Sequence, residues 1–118
     1  MLEYTAEGVV FAGAVGGGYV FPEFLPELAD WSQRYRTAYG SAPGPSTVEV
    51  YDAVTVALDA IKRAGSTDRE AVRKAIATTD LEALSGPLSF NPDGTRNTPK
   101  FLLLRAENGK FALEPAGG

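Results

Sequence analysis

The stretch that decides the fold is YDAVTVALDAIKRAG, residues 51–65. Its large apolar side chains recur at helical spacing and share one face: Tyr51, Val54, Leu58 and Ile61. Alanines at positions 53, 57, 60 and 64 lie beside this face and let another element approach closely. Ser46 or Thr47 can cap the start of the helix, and Gly65 ends it. The stretch therefore predicts an amphipathic helix that packs against another element.

Shorter patterns on either side predict a mixed α/β chain. Upstream, the apolar run at residues 8–15 indicates a buried strand. A helix that ends near Gly40 follows this strand, and its apolar face consists of Phe24, Leu28, Trp31 and Tyr35. Downstream, Thr67-Asp68-Arg69-Glu70 fits a capping box, which begins a short third helix. Residues 88–90 indicate a brief strand, and Asn108-Gly109 between two apolar runs predicts a two-residue hairpin turn. The predicted order is strand, three helices, short strand and β-hairpin.

Composition argues against several classes of protein. With 118 residues and 44% hydrophobic content, the chain is long enough for one modest domain. Its net charge of −4 and the lack of a basic cluster argue against a nucleic-acid partner. No apolar run is long enough to span a membrane, and the first residues lack the basic region of a signal peptide. Because cysteine and histidine are absent, we expect no metal, no cofactor and no catalytic activity.

Two segments invite a functional interpretation, and each has a structural alternative. Gly16-Gly17-Gly18 lacks the Gly-Lys-Ser/Thr sequence of a phosphate loop, which favours a flexible linker. Ser46-Thr47-Val48 offers hydroxyl and backbone N–H groups at a helix start. An N-cap is the simpler interpretation of this segment, and an anion site is the alternative.

Aromatic and acidic side chains are explained by local structure. Phe24, Trp31 and Tyr35 have helical spacing, which favours core packing over a platform for sugar stacking. The acid pairs Glu23/Glu27 and Glu49/Asp52 lie near predicted helix starts. We therefore expect them to complement helix dipoles and not to act in acid–base catalysis.

Three short motifs follow one another along the chain, and their order and spacing are informative about the family: Tyr51-Asp52-Ala53-Val54, Ala64-Gly65-Ser66-Thr67-Asp68 and Gly86-Pro87-Leu88-Ser89-Phe90. In this order and at this spacing, the chain resembles the C-terminal part of the branched-chain amino-acid-binding proteins. These are extracytoplasmic solute receptors of ABC importers and have the type I periplasmic-binding-protein fold. The resemblance implies an α/β chain with part of that fold. It implies one fragment-like domain over residues 1–118, with C-lobe-type strands at 1–15 and 99–114 and N-lobe-type helices and a short strand at 19–90.

The resemblance also implies positions for a binding site. Residues at the start of the Tyr-Asp-Ala-Val helix would face the cleft between lobes, which makes Thr47, Val48 and Tyr51 ligand-cleft candidates. The chain would cross between lobes near residues 13–18 and again near residues 95–99. Gly13, Gly16, Gly17 and Gly18 are therefore hinge candidates.

By resemblance, the chain is a non-catalytic, periplasmic or otherwise extracytoplasmic fragment of a receptor for branched-chain or related amino acids or amides. Its partners would be that solute and an ABC permease. The alternative is a stand-alone ligand-sensing or interaction module of a regulator. The helices carry apolar stripes that would face a sheet which these 118 residues do not supply, so we also expect the chain to form a homodimer.

Overall fold

The computed structural model describes residues 10–14, 22, 25–97 and 101–114, and for residues 10–14 it describes the backbone alone. The elements in chain order are β1 (Val10–Ala14), α1 (Ala29–Tyr39), α2 (Thr47–Ala64), α3 (Arg69–Ala77), β2 (Asp80–Ala83), β3 (Gly86–Phe90), β4 (Arg96–Asn97), β5 (Phe101–Glu107) and β6 (Lys110–Leu113). The chain divides into two compact units, Met1–Pro45 with Phe101–Gly118, and Ser46–Lys100. None of the helices in the described part is long and apolar enough to cross a membrane.

The first unit contains an antiparallel sheet of order β1-β5-β6. Strand β5 lies in the middle, with Leu104 opposite residue 11 on one side and Leu113 on the other. Its side chains alternate, because successive residues of a strand point to opposite faces. Leu104 and Ala106 are buried, whereas Phe101 and Leu103 are exposed. Strand β5 therefore has one covered side and one open, partly apolar side.

The turn between β5 and β6 has the conformation that the sequence predicts. Asn108 and Gly109 both have positive φ, 50° and 69°, and Glu107 pairs with Lys110 across the turn. Positive φ at both central positions is the mark of the type I′ turn, whose twist matches that of the strands it joins. The hairpin prediction is confirmed.

Helix α1 in the first unit follows a 3₁₀ turn at Pro26–Leu28. Leu28 and Trp31 are buried, and Gly40 ends the helix in the left-handed conformation with φ 77°. The predicted helix and its end at Gly40 are confirmed. Pro26 is the first residue of the 3₁₀ turn that leads into α1, where its fixed φ and missing N–H are tolerated. Phe24, the first residue of the predicted face, lies outside the described residues.

The second unit begins with α2, which ends at Gly65 in the left-handed conformation, with φ 66°. Asp68 caps α3, and its carboxylate accepts a hydrogen bond from the N–H of Ala71 at 2.9 Å. The capping-box prediction was thus one residue early, since Asp68 and not Thr67 supplies the cap. Arg63 ties the end of α2 to the end of α3, because its guanidinium donates to the carbonyl of Ala75 at 2.8 Å and to the hydroxyl of Thr78 at 3.0 Å.

The rest of the second unit is an antiparallel meander of order β2-β3-β4. The sequence predicted only a brief strand over residues 88–90, so the prediction missed β2 and β4. Both are short, at four and two residues, and β2 follows α3 almost directly. Each is a strand because it hydrogen-bonds to β3. Segments this short are too brief to show the alternating pattern of apolar and polar residues that predicts a strand.

Candidate functional site

The start of α2 places the three ligand-cleft candidates on the first turns of one helix. Thr47 is half-buried and the ring of Tyr51 is 49% exposed, whereas Val48 is only 2% exposed. A ligand at this helix end can therefore meet Thr47 and Tyr51, and it can meet Val48 only after the residues that cover Val48 move.

The N-cap of α2 differs from the simpler interpretation of its sequence. Ser46 is the capping residue by position, and its carbonyl accepts a hydrogen bond from the N–H of Val50 at 3.2 Å. Its side chain makes no capping hydrogen bond, however, and φ −91° with ψ 3° is not the extended conformation that usually brings a hydroxyl to the helix end. The Ser46 hydroxyl is thus not committed to a cap.

Asp52 has a role that the sequence did not reveal. Its side chain is 5% exposed, and it accepts hydrogen bonds from the backbone N–H of Leu84 at 2.9 Å and of Ser85 at 3.1 Å. The hydroxyl of Ser85 donates to the same carboxylate at 2.5 Å. The proposed dipole role for Asp52 was therefore wrong, because this carboxylate fixes the turn between β2 and β3. Glu49, the other member of the pair, does lie in the first turn of α2 and is exposed.

Arg96 extends this buried cluster from the neighbouring strand β4. Its guanidinium donates to the hydroxyl of Ser85 at 2.8 Å and to the carbonyl of Pro87 at 2.9 Å. A carboxylate, a hydroxyl and a guanidinium thus connect α2, the β2–β3 turn and β4. The cluster holds the N-terminal half of α2 against the meander, and with it the helix end that carries Thr47 and Tyr51.

The hinge candidates fall in two places. Gly13 is the fourth residue of β1 and pairs with Leu102 of β5. Gly16, Gly17 and Gly18 lie outside the described residues, as does Glu23 of the predicted acid pair. Its partner Glu27 is exposed and lies in the first turn of the 3₁₀ helix Pro26–Leu28. The hinge assignment stays a prediction.

The aromatic residues of α1 form a ladder along the helix. The ring centroids of Trp31 and Tyr35 are 5.7 Å apart, and those of Tyr35 and Tyr39 are 4.6 Å apart. Trp31 is 8% exposed, Tyr35 is intermediate, and Tyr39 is 71% exposed. Burial of the indole agrees with the core-packing interpretation and leaves little surface for a sugar to stack on.

An open cleft of about 460 Å³ lies between α3 and the β3–β4 turn, lined by Arg73, Ile76, Ala77, Phe90, Asn91, Pro92, Asp93 and Gly94. Its charged groups already have partners. Arg73 donates hydrogen bonds to the Glu70 carboxylate, and these bonds lower the pKa of Glu70. Thr95 donates to the Asp93 carboxylate from its hydroxyl and its backbone N–H, which lowers the pKa of Asp93. Nothing in this cleft points to a particular ligand. The described residues contain no group of three or more acids that could hold a metal ion.

Comparison with known proteins identifies the architecture. The family described as periplasmic binding protein matches residues 4–110. A leucine-binding protein, LivK, from Thermotoga maritima is 28% identical, with a TM-score of 0.69 over 92% of this chain and 30% of that chain. A putative branched-chain amino acid ABC transporter protein from Rhodospirillum rubrum is 31% identical, with a TM-score of 0.66 over 92% of this chain and 31% of that chain.

A third structure supports the fold alone. The branched-chain amino acid substrate-binding protein LivJ from Streptococcus pneumoniae, solved with isoleucine, is 22% identical, with a TM-score of 0.68. This chain covers 92% of its own length and 31% of that protein. The chain thus spans less than a third of the length of each of these three solved relatives. The sequence resemblance is confirmed, and the chain belongs to the periplasmic binding protein family, with part of the type I fold.

Proposed function

We propose that this chain forms one wall of the solute cleft in an ABC-importer receptor for branched-chain or related amino acids. The observation that carries the proposal is the start of α2, where Thr47 and the half-exposed Tyr51 are accessible on a helix that the buried Asp52 anchors. The Thermotoga maritima relative is a leucine-binding protein, which supports this solute class. The role is non-catalytic, extracytoplasmic and linked to an ABC permease, as in the family.

One wall is not sufficient for tight binding. An amino acid has an ammonium and a carboxylate, and each needs several hydrogen bonds to compensate for its lost hydration. Among the accessible groups at the start of α2, the ring of Tyr51 suits the apolar part of a ligand. The hydroxyls of Ser46 and Thr47 can hydrogen-bond a charged end, but two hydroxyls are too few to satisfy both the ammonium and the carboxylate. We expect the isolated chain to bind leucine, isoleucine or valine weakly or not at all.

Calorimetric titration of leucine into the purified chain tests whether the chain supplies only one wall of the binding site. We expect no saturable heat with the chain alone. In a complete receptor of the family that carries this segment, Tyr51→Ala should weaken leucine binding, whereas the exposed Thr67→Ala on the α2–α3 loop should not. Tight binding by a single isolated copy, or equal affinities for the two variants, would contradict the proposal.

Self-association of the isolated chain stays a prediction. The exposed apolar side chains on α2 and on the open face of β5 support it, because such surface favours association in water. Light scattering at micromolar concentration measures the mass directly, and a compact monomer would contradict it.

A further inference from the structure

The turn between β5 and β6 places two groups that can react with each other at the protein surface. Asn108 carries a side-chain amide, and the backbone nitrogen of Gly109 directly follows it. Both residues are exposed, and a Cβ added at Gly109 would meet no atom of the described residues within 4 Å. Because glycine has no side chain, its nitrogen is open to a group that approaches from the preceding residue. This is the arrangement in which an asparagine amide can lose ammonia.

The reaction is an intramolecular acyl transfer followed by hydrolysis. The Gly109 nitrogen gives up its proton to hydroxide and attacks Cγ of Asn108. A C–N bond forms, the Cγ–Nδ2 bond breaks, and Nδ2 leaves as ammonia with a proton from water, which yields a cyclic imide. Water then opens the imide. Cleavage at Cγ gives aspartate, whereas cleavage at the backbone carbonyl carbon gives isoaspartate, in which the main chain runs through Cβ. Either route consumes one water molecule and releases one ammonia.

The folded turn holds the two reacting groups apart. Ring closure needs Cβ of Asn108 and the nitrogen of Gly109 on the same side of the Asn108 Cα–C bond. With φ 50° and 69° the turn is type I′, and the first central residue of such a turn has ψ of about 30°. At that ψ the Cβ and the nitrogen lie on nearly opposite sides of the bond. Rotation into the reacting conformation must therefore separate Glu107 from Lys110, which pair across the turn.

Contacts at the far end of β6 keep the hairpin closed. The N–H of Glu114 donates to the carbonyl of Leu103 at 2.8 Å. Arg105 donates to both carboxylate oxygens of Glu114 at 2.7 Å. Strand β6 has four residues and lies at the edge of the β1-β5-β6 sheet. A short edge strand opens more readily than the whole unit unfolds, so these contacts set how often the turn can reach the reacting conformation.

We propose that Asn108 is a deamidation site gated by the β5–β6 hairpin: the imide forms only while the hairpin is open, and the isoaspartate product then keeps it open. Isoaspartate adds one main-chain atom between the two central residues, and a two-residue type I′ turn has no place for it. The aspartate product restores the original backbone, and Asp-Gly is itself a favoured type I′ sequence. The two products therefore have different effects on the sheet. This inference is independent of the proposed function.

Incubation of the full chain in mildly alkaline buffer, followed by peptide mapping with mass spectrometry, tests the gate. A synthetic peptide of residues 105–112 supplies the open reference, since an isolated hairpin is marginally stable at best. We expect Asn108 to deamidate about tenfold or more slowly in the folded chain than in the peptide. Asn91 is an internal control, because Pro92 follows it and has no N–H. Equal rates in chain and peptide would overturn the inference.

A variant that loosens β6 tests the gate from the other side. Glu114→Ala removes the ion pair with Arg105 and should accelerate deamidation in the folded chain about threefold. Glu82→Ala removes an exposed acid from β2 in the other unit and should leave the rate unchanged. Equal rates for these two variants would contradict gating by the hairpin.

The separated products test whether isoaspartate traps the open hairpin. We expect the isoaspartyl form to melt at a lower temperature and the amides of β6 to lose protection from hydrogen exchange, whereas the aspartyl form keeps both. Asn108→Gly retains a favoured turn sequence without the side-chain amide, so its hairpin should stay closed over the same incubation. An isoaspartyl form with unchanged protection of β6, or equal loss of protection in Asn108→Gly, would refute the trap.

Discussion

Replacing Asp52 with alanine should destabilise the second unit by about 2–4 kcal/mol. The substitution removes the acceptor of three hydrogen bonds, from Leu84 N–H, Ser85 N–H and the Ser85 hydroxyl, at 2.9, 3.1 and 2.5 Å. A buried donor left without a partner costs about 1–3 kcal/mol, and Ser85 is 4% exposed. Removal of a buried carboxylate also recovers part of its desolvation cost, which is why the net figure lies below the sum of the lost bonds.

Urea denaturation followed by circular dichroism measures this free energy of unfolding. Asp52→Asn keeps one acceptor oxygen but sets an NH₂ group against donors, so about 1–2 kcal/mol should be lost. The control is Glu49→Ala on the same helix, an exposed acid whose contribution through the helix dipole is about 0.3–1 kcal/mol. If Asp52→Ala costs no more than Glu49→Ala, the buried carboxylate does not fix the β2–β3 turn and the argument fails.

Three further predictions concern the hairpin and the helix ends. Gly109→Val places a β-branched residue at φ 69° and should cost about 1 kcal/mol or more, so an unchanged melting temperature would count against the turn. Arg63→Met removes the hydrogen bonds to Ala75 and Thr78 and should lower the free energy of unfolding by about 1–2 kcal/mol, whereas Lys62→Met at the exposed neighbouring position should have little effect. Arg105 hydrogen-bonds both carboxylate oxygens of Glu114 and lowers the pKa of that carboxyl, so the stabilisation exists above the ordinary value of 4.5 and is lost as the pH falls through the lower folded value. The difference in melting temperature between the wild-type protein and Glu114→Gln should therefore shrink below pH 4.5, and a difference that grows would reverse the assigned sign.

Features set by neighbouring residues could be predicted from the sequence. Gly40 and Gly65 end their helices at positive φ, and Asn108-Gly109 forms the hairpin turn. In each case the backbone conformation tolerates few residue types, so the residue type reports the conformation. The periodicity of α2 identified the helix but not its covered side. The predicted packing face is largely exposed at Tyr51, Val54 and Leu58, whereas the buried side carries Val48, Val56 and Ala60.

The candidate site could be predicted only in part. The resemblance placed Thr47, Val48 and Tyr51 at the start of α2, but burial decides which of them a ligand can meet, and Val48 proves to be covered. No pattern in the sequence links Asp52 to Ser85, which lies 33 positions later. An acid in the first half of a helix looks the same in sequence whether it faces water or accepts hydrogen bonds from a distant turn.

The sequence by itself determined the helices, their ends, the hairpin and the family, because these depend on local conformational preference and on short ordered motifs. Only the tertiary structure decided the β2-β3-β4 meander, the buried Asp52–Ser85–Arg96 cluster and which side of α2 is covered. The physical reason is that each of these features depends on which segments, distant in sequence, pack against each other in the folded chain. Val54 and Val56 are equally apolar in the sequence, yet one is 54% exposed and the other 7%, and that difference is set by the residues that pack against α2.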